Sequence, residues 1–500
     1  MKKVIYGDNL KLKINEAIKL LCEPVKGTLG PKGNNVIIDQ AMFSTFITND
    51  GVTIAEAIES DDNIVNCILK LAKESSIKTN EDVGDGTTTT LVLLESIFNK
   101  GRELIENGIN PMIIKQELEN ALNTILKLLE KERLEINEKD INLVAFNSSN
   151  DHEIASTISS VFKKIKYKEA IEIKEGTTEK TIINYYNGYS FETLLASPYF
   201  KRQKTLTFNN PYILLQKKEL FDIEEISNYL NIIKEENKSL IIIADDYSDE
   251  LINEVLSLYL DHELKIILLK APMYGIKQEE FWDDLYSILD NKYFNTVNNI
   301  NIYENLTCIS FKKNNSINKR ITNLKKELDD NKSDIKEKIA MLENGTAEIL
   351  VGGKTSLERR EKQMRFTDAL CAVNTLNSGI LIGAGATLLK IAYQLKDDTY
   401  GLKILKEALH SPVKQLCYNS GINYDEVLTK YINSNFTIVL NIITNEYETT
   451  NNTGIKDPYL VVTNALKNAV SIASLLLTTN SLVINDTIDK KNKNYDDYTY

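Results

Sequence analysis

The spacing of apolar residues predicts helices over most of the first 131 residues. The first of these helices has an apolar face that consists of Ile14, Ile18, Leu21 and Val25. Residues that recur every three or four positions share one side of a helix. The same spacing predicts further helices at 63–76, 88–100 and 112–131. Gly108-Ile-Asn-Pro111 separates the last two, because glycine and proline interrupt helices.

The pattern changes in the middle of the chain, where short apolar runs alternate with amphipathic stretches. The predicted strands are 211–215, 240–244 and 265–270, and the predicted helices are 221–236, 249–260 and a long charged one at 323–343. This alternation is typical of an α/β domain with a partly parallel sheet. Helical spacing then returns at 355–377, 386–395, 402–419 and 460–479. An α/β domain is thus predicted inside a helical domain built from both chain ends.

Composition and charge narrow the class of protein. A chain of 500 residues is too long for one hydrophobic core, so several domains are expected. A net charge of -12 argues against a nucleic-acid partner, because phosphate affinity needs clustered Lys and Arg. We expect no membrane span either, since none of the apolar runs approaches the roughly 20 residues required. The polar end, 486–500, is predicted to be disordered.

Cysteine usage bears on the compartment. The five cysteines form no CxxC pair, which argues against a metal cluster and against a disulfide framework. A reducing compartment fits this pattern best, so we expect a cytoplasmic location.

Three short glycine-containing segments indicate a phosphate site: Thr28–Gly33 (TLGPKG), Thr48–Val52 (TNDGV) and Gly84–Thr90 (GDGTTTT). The third leads directly into an apolar helix. Free N–H groups at a helix start form an anion site, and glycine allows close approach. Asp85 cannot bind phosphate, but it can hold Mg²⁺ that bridges to phosphate oxygens. Taken alone, the segment also fits an ordinary capped helix after a glycine turn.

A fourth segment, Glu348–Thr355 (EILVGGKT), ends like a P-loop. The first glycine of that motif is replaced by Glu348, a carboxylate where phosphates would lie. The segment is therefore not predicted to bind a nucleotide.

Nine motifs occur in the order found in group I chaperonins, the GroEL family, which the chain resembles along its length. They are TLGPKG at Thr28, TNDGVTIA at Thr48, GDGTTTT at Gly84, NGINPM at Asn107, SPYF at Ser197, LLKAP at Leu268, TDAL at Thr367, GAGA at Gly383 and KDP at Lys456. No single motif would suffice, but nine in one order leave little room for chance.

The resemblance implies a GroEL-like multidomain fold with mostly-α and α/β parts. A helical equatorial domain that binds ATP would comprise 1–131 and 379–500. A small α+β intermediate hinge domain would comprise 132–186 and 346–378. An α/β apical domain, 187–345, would be inserted in the middle and bind substrates and a cochaperonin.

The family's function would be that of an ATP-dependent chaperone, an ATPase that uses Mg²⁺, with K⁺ as a further cation. Thr28, Leu29, Gly30 and Pro31 would line the phosphates and base, Asp85 would coordinate Mg²⁺, and Gly86, Thr87, Thr88 and Thr89 would cradle phosphate. Gly383 and Gly385 would lie close to the ribose, Asp457 would contact the ribose, and Asn441 would lie near the adenine. Asp50 and Asp368 would place the attacking water opposite the γ-phosphate.

The implied partners are non-native polypeptides, a GroES-like lid and further copies of the chain in a ring, most simply a heptamer. The apolar surface that would bind substrates consists of Leu195, Tyr199, Phe200, Leu230, Ile252 and Leu256. A stripe of Leu251, Val255 and Leu258 is expected to face the sheet. Ile252 and Leu256 lie off that stripe, so we expect an exposed groove, thinned by Ser227 and Ser257.

Several positions depart from the family pattern. The usual lysine before Asp50 is Asn49, and the middle glycine of a GGG run is Ala384; both bear on nucleotide affinity and on dependence on monovalent ions. Asp151 and Arg365 remain available for a hinge contact. The alternative function is a non-folding scaffold or assembly protein that keeps the fold with a weakened ATP cycle.

Overall fold

The computed structural model describes residues 2–40, 43–200, 205–260, 264–328 and 333–485. The chain folds into two compact units. Unit 1 combines residues up to 159 with residues from 354 onward, and unit 2 is the continuous segment 160–353. The predicted disordered tail, 486–500, lies outside the described residues. The finer division into three domains stays a prediction.

Helices dominate unit 1. Across the described residues, the α-helices are α1 Asp8–Lys26, α2 Gly51–Ala57, α3 Asn63–Val83, α4 Thr87–Glu106, α5 Pro111–Lys131, α6 Glu138–Ser149, α7 His152–Ile165, α8 Ser227–Glu236, α9 Asp249–Leu260, α10 Ile276–Ile288, α11 Asn315–Glu327, α12 Ser333–Glu343, α13 Ser356–Asn374, α14 Ala386–Gln394, α15 Tyr400–Ser420, α16 Tyr424–Asn433 and α17 Tyr459–Thr478. Short 3₁₀ turns occur at Lys168–Ala170, Pro198–Phe200, Ile223–Ile226 and Thr375–Ser378.

Strands are concentrated in unit 2. In the described chain they are β1 Lys2–Tyr6, β2 Val36–Gln40, β3 Phe43–Thr48, β4 Ile171–Glu175, β5 Ile182–Tyr186, β6 Tyr189–Glu192, β7 Leu206–Asn209, β8 Tyr212–Leu220, β9 Leu240–Tyr247, β10 Ile266–Lys270, β11 Phe294–Thr296, β12 Asn299–Ile302, β13 Leu306–Ser310, β14 Thr346–Val351, β15 Ile380–Ile382, β16 Ile438–Asn441, β17 Glu446–Thr449, β18 Lys456–Pro458 and β19 Ser481–Asn485.

Both ends of the chain build the core of unit 1. The late helix α17 packs against α3, α4 and α5, and β1 pairs antiparallel with β19. The side chain of Asn110 accepts a hydrogen bond from the Met112 N–H (2.8 Å), and Pro111 occupies the first turn of α5. The predicted break before α5 is therefore a helix cap. The prediction that both chain ends share one helical body is confirmed.

Among the described helices, α17 is the one that is long and apolar enough to cross a membrane. The expectation that none of the apolar runs approaches that length is wrong for this segment. In the structure, 61% of its most apolar window is buried within the protein. Its apolarity follows from its place in a helical core, where α3, α4 and α5 pack against it, although Leu475 is 41% exposed.

Unit 2 contains the predicted partly parallel sheet, in the order β10-β9-β8-β11. β8, β9 and β10 run parallel, and β11 is antiparallel to β8. The middle strand β9 is buried along Leu240–Ala244, as expected of a strand covered on both faces. Two further sheets, β6-β13-β12-β7 and β4-β14-β5, complete this unit.

The predicted single helix at 323–343 is instead two helices, α11 and α12. Leu328, directly after α11, has an extended backbone (φ -68°, ψ 115°). Residues 329–332, between the two helices, lie outside the described residues. The apolar spacing on the two sides of this break is compatible with one helix, which explains the wrong prediction.

A buried ion pair lies in the core of unit 2. Asp284 on α10 is fully buried and accepts hydrogen bonds from the Arg320 Nε–H (2.8 Å) and from the Tyr189 hydroxyl (3.0 Å). The two partners come from α11 and β6. Removal of one partner from such a pair leaves an uncompensated buried charge, which is costly.

Arg320→Met is therefore expected to destabilise unit 2 by about 3–5 kcal/mol. Trp282, the one tryptophan of the chain, is buried beside Asp284, so its fluorescence in denaturant titrations of the full chain reports this unit. The control, Tyr189→Phe, removes one hydrogen bond to the carboxylate but keeps the ion pair, and it should cost about 1.5–3 kcal/mol. An Arg320→Met transition that coincides with that of the wild type would contradict the argument.

Candidate functional site

Unit 1 contains a cavity of about 460 Å³, a size typical of small-molecule sites. Segments from both ends of the chain line it. The lining includes these predicted residues: Thr28, Leu29, Gly30, Pro31, Asp50, Asp85, Gly86, Thr87, Thr88, Thr89, Asp368, Gly385, Asn441 and Asp457. Gly383 lies directly behind the wall, beside Asp457. The fold thus brings together the residues that the motifs had marked along more than 400 positions.

The start of α4 forms one wall. Gly86 has a left-handed backbone (φ 82°), and a Cβ there would lie 2.6 Å from Cγ1 of Val461, so only glycine fits. No side chain caps this helix start. Thr87, Thr88 and Thr89 line the cavity, whereas the Thr90 hydroxyl donates to the Gly86 carbonyl (3.0 Å). Uncapped N–H groups and the positive end of the helix dipole favour an anion here.

The loop after α1 forms a second wall, and other parts of unit 1 hold it in place. Asn419 on α15 donates to the carbonyls of Lys26 and Leu29, both at 3.0 Å. Asn150, at the end of α6, donates to the Pro31 carbonyl (3.4 Å). The loop is therefore anchored before any ligand arrives, which lowers the entropy cost of binding.

Four carboxylates share the cavity: Asp50, Asp85, Asp368 and Asp457. Asp50 caps α2 and accepts the Thr53 N–H (2.9 Å). Burial raises the pKa of Asp85 to about 6, although the Gly86 N–H donates to its carboxylate (2.6 Å). Burial also raises the pKa of Asp457 to about 7 and that of Asp368 well above its usual range. The mutual repulsion of these groups adds to each shift.

These carboxylates fit a metal ion that is shared with phosphate. Within the part of the chain that the structure describes, no three His, Cys, Asp or Glu side chains are close enough to hold an ion alone. Mg²⁺ in proteins takes one or two carboxylates, phosphate oxygens and several waters. Asp85, next to the uncapped start of α4, suits that arrangement.

The segment Gly383-Ala-Gly385 passes close to Asp457. A Cβ on Gly383 would lie 2.7 Å from the Asp457 Oδ1 atom, so the close approach requires glycine. Ala384, where the family pattern has glycine, adopts a left-handed backbone (φ 53°) that is unfavourable for alanine. Its N–H donates to the Asp457 carboxylate. Strain of this kind concentrates at functional sites.

One wall was missed by the sequence analysis. Phe146 and Asn147, near the end of α6, line the cavity. The Asn147 amide donates to the carbonyls of Gly454 and Lys456, at 3.1 and 2.9 Å. This helix end carries no glycine or threonine run, and its one signal is the Ser-Ser-Asn-Asp stretch that ends it. Only the tertiary fold shows that it faces the phosphate loops.

Asn441 lines the cavity, but its side chain is engaged in local structure. Its Nδ2 donates to Glu448 (2.7 Å), and its Oδ1 accepts the N–H groups of Ile443 and Thr444, at 3.0 and 3.3 Å. The residue thus shapes the turn between β16 and β17. The side chain of Asn441 is therefore already engaged, and the predicted position beside the adenine would involve the backbone of this residue.

The predicted hinge contact between Asp151 and Arg365 is not formed, which corrects that expectation. Asp151 caps α7 by accepting the N–H groups of Glu153 and Ile154, at 2.8 and 3.1 Å. Arg365 instead pairs with Glu361, one turn earlier on α13, at 2.6 Å from Nε. Each side chain has a nearer partner on its own helix, and local pairs of this kind form easily.

Residues Glu348–Gly353 of the P-loop-like segment contribute to the structure of unit 2. Glu348 accepts hydrogen bonds from Lys174, Asn184 and Tyr186 across the sheet β4-β14-β5. The Gly352 N–H donates to Thr181 and the Gly353 N–H donates to the Thr178 carbonyl. These amides are occupied by the chain itself and are therefore not available to phosphate.

The predicted apolar surface of unit 2 differs from expectation. Phe200 is fully buried, and Leu230 and Leu256 are nearly so, with 9% and 7% exposed. The 3₁₀ turn at Pro198–Phe200 packs on α9, and the Tyr259 hydroxyl donates to the Phe200 carbonyl (3.1 Å). This turn covers the side of α9 on which Leu256 lies.

Three members of the predicted surface remain accessible. Tyr199 is 72% exposed, and Ile252 and Leu195 are half-buried. Leu195 lies on an extended segment that pairs with β10 at Leu269. The expected groove is thus smaller than predicted, and Tyr199 is its one well-exposed member in the described chain.

Comparison with known proteins gives two findings. A model of the TCP-1/cpn60 chaperonin family matches residues 21–261 and 282–487. The chain is also similar to the crystal structure of the chaperonin gp146 from the bacteriophage EL 2 (Pseudomonas aeruginosa), determined in the presence of ATP-BeFx. The sequences are 20% identical, the TM-score is 0.64, and the match covers 97% of this chain and 99% of that chain. At this identity the likeness shows a shared fold.

The raised pKa of Asp457 predicts a pH dependence of stability. The folded value of about 7 lies above the ordinary value of 3.8, so the favourable protonated form is lost as pH rises through 7. Asp457→Asn should therefore stabilise the nucleotide-free protein, by a margin that grows by about 2–3 kcal/mol between pH 5 and pH 8. Thermal unfolding by calorimetry measures this. The same substitution at the exposed Asp398 is the control, and a margin that does not change with pH would contradict the prediction.

Proposed function

The chain belongs to the TCP-1/cpn60 chaperonin family, and on that premise we propose that it is an ATP-driven chaperonin that captures non-native polypeptides and promotes their folding in the cavity of a ring. The observation that carries this proposal is the cavity of unit 1. There the uncapped start of α4, the anchored loop 28–31 and the carboxylates of Asp50, Asp85 and Asp368 converge. A polyphosphate needs this combination of anion site and metal-binding oxygen.

The nucleotide would lie along the lining in a defined direction. Its phosphates would accept the free N–H groups of Thr87, Thr88 and Thr89. Its sugar would lie between Gly385 and Asp457, and its base would approach Asn441 and the apolar side chains beside it. Bound through Asp85, Mg²⁺ would neutralise charge on the phosphate oxygens.

Hydrolysis would use the remaining two carboxylates. A water oxygen attacks the γ-phosphorus, the bond to the bridging oxygen breaks, and ADP leaves with that electron pair. Asp50 is held by its bonds to Thr53, and Asp368 lies on α13, so both can orient the water. Asp368 also needs to be ionised to accept a proton, and a cation held by Asp85 would favour that state.

The scaffold alternative has one specific observation in its favour. Burial of Phe200, Leu230 and Leu256 leaves less apolar surface for clients than the family pattern implied. The four cavity carboxylates argue against it, because their burial destabilises the protein unless a cation binds. A steady-state ATPase measurement distinguishes the two functions.

The remaining parts of the proposal follow from family membership. We propose a homo-oligomeric ring, most simply a heptamer, a GroES-like lid, K⁺ as a further cation and a cytoplasmic location. The exposed apolar residues of unit 1 fit association with further copies, since closed rings bury such faces.

Asp368→Ala should lower kcat for ATP hydrolysis by about 100-fold or more, because it removes a group that orients and deprotonates water. ATP affinity should stay near that of the wild type. Asp85→Ala should weaken Mg²⁺-ATP binding by about 10-fold or more, because it removes a metal ligand. Calorimetric binding and phosphate release measure the two effects, with Asp398→Ala as an exposed control. Equal loss of binding in both variants would overturn these roles.

Tyr199→Asp should reduce the capture of unfolded clients several-fold, since each copy in a ring loses an apolar contact worth about 1.5–3 kcal/mol. ATP hydrolysis should be unchanged, because the nucleotide lies in unit 1. Aggregation suppression measures capture. Tyr293→Asp is the matched control, an exposed tyrosine beside β11 at the opposite edge of the sheet.

Leu256→Glu should behave differently from Tyr199→Asp. Because Leu256 is buried, the charge should destabilise unit 2 itself, which the fluorescence of Trp282 detects.

Full capture of clients by a folded Tyr199→Asp ring would show that the surface around Tyr199 is not used.

A further inference from the structure

The cavity is short of positive charge. Four of its lining residues are acidic, and among the described lining residues only Arg365 and Lys456 are basic. Asn49, which also lines the cavity, is neutral. A nucleoside triphosphate keeps negative charge even with one Mg²⁺ bound, and phosphoryl transfer builds up charge on the terminal phosphate. At least one protein cation is therefore needed near that phosphate.

Lys456 does not meet this need. Its ammonium group lies 2.7 Å from the Asp140 carboxylate, and the two side chains are only 15% and 3% exposed. A buried pair of this kind is not broken without leaving an unpaired buried charge. Its role is to hold β18 against α6, which packs on it.

Arg365 can change partners. Its side chain is 29% exposed, and its ion pair with Glu361 is a single-turn contact on α13 in which Glu361 is also partly exposed, at 22%. Pairs of this type are weak. Arg365 precedes Asp368 by three residues, so the two share a face of α13, and both line the cavity.

We propose that Arg365 leaves Glu361 when ATP binds and contacts the terminal phosphate, where it supplies the cationic charge that Asn49 does not provide. The inference rests on the proposed ATPase function. The planar guanidinium group donates two parallel hydrogen bonds to phosphate oxygens. Arg365 is therefore a catalytic residue that acts within its own chain, beside the water-orienting Asp368.

The first test is Arg365→Met in the full-length protein, compared for ATP and ADP. The terminal phosphate is absent from ADP, so ATP affinity should fall about 10-fold or more while ADP affinity changes less than about two-fold. The kcat should fall about 100-fold or more, in the range of other phosphate-contacting arginines. Arg365→Lys keeps the charge and should retain part of the activity. Partial activity of this variant would show that the loss in Arg365→Met is not caused by a folding defect at this position.

Two controls separate this role from a structural one. Glu361→Gln removes only the present partner of Arg365, so kcat should stay within about two-fold of the wild type. Asp151→Asn tests the hinge contact and should likewise leave the preference for ATP over ADP intact. If either control reproduced the Arg365→Met defect, Arg365 would act through the helix and the proposal would be overturned.

The decisive experiment moves the charge. Asn49→Lys in the Arg365→Met background should restore the preference for ATP over ADP and about 10-fold or more of the lost kcat, because both positions line the same cavity. No rescue together with equal losses of ATP and ADP binding would overturn the proposal. A fully active Arg365→Met protein would overturn this inference alone. A wild-type protein without any ATPase activity would overturn the proposed function as well.

Discussion

The burial of α17 against α3, α4 and α5 is the interaction on which the rest of unit 1 depends. It closes a core built from both ends of the chain, and it also places Val461 against Gly86 at the start of α4. Asp457, two residues before α17, enters the cavity because the helix is anchored there. A single packing contact thus determines both the stability of unit 1 and the shape of the proposed nucleotide site.

The cavity that results is unfavourable when it is empty. Four carboxylates face one another in a space of about 460 Å³, and burial raises the pKa of three of them. Ala384 adds a left-handed backbone that alanine tolerates poorly. Functional sites commonly carry such costs, because the arrangement that serves the ligand is not the one that best serves the fold. A bound metal ion would relieve the repulsion, so binding of a metal–nucleotide complex at the proposed site would also stabilise unit 1.

Much of this architecture could be predicted from the sequence because it depends on local patterns. Apolar spacing located both ends of α5 and α17, and the starts of α3 and α4, to within one residue. The predicted ends of α3 and α4, at 76 and 100, fall short of Val83 and Glu106. Ordered glycine motifs located the loops that line the cavity. Each of these signals is contained in a short window of the chain.

The failures share a different cause. Leu256 is buried by a turn more than fifty positions earlier, at Pro198–Phe200, and no pattern within α9 reveals that cover. Phe146 and Asn147 line the cavity only because α6 packs near β18. Contacts between distant segments decided all of these positions, and periodicity carries no information about them.

The order of the chain has a consequence for synthesis. Unit 2 is one continuous segment, so it can fold as soon as it leaves the ribosome, as domains generally do. Unit 1 cannot, because α1, α3, α4 and α5 are made first and their apolar faces await α17. Until α17 emerges, those faces remain open to wrong associations, and β1 lacks its partner β19. The proposed nucleotide site is therefore completed only after α17 has been made.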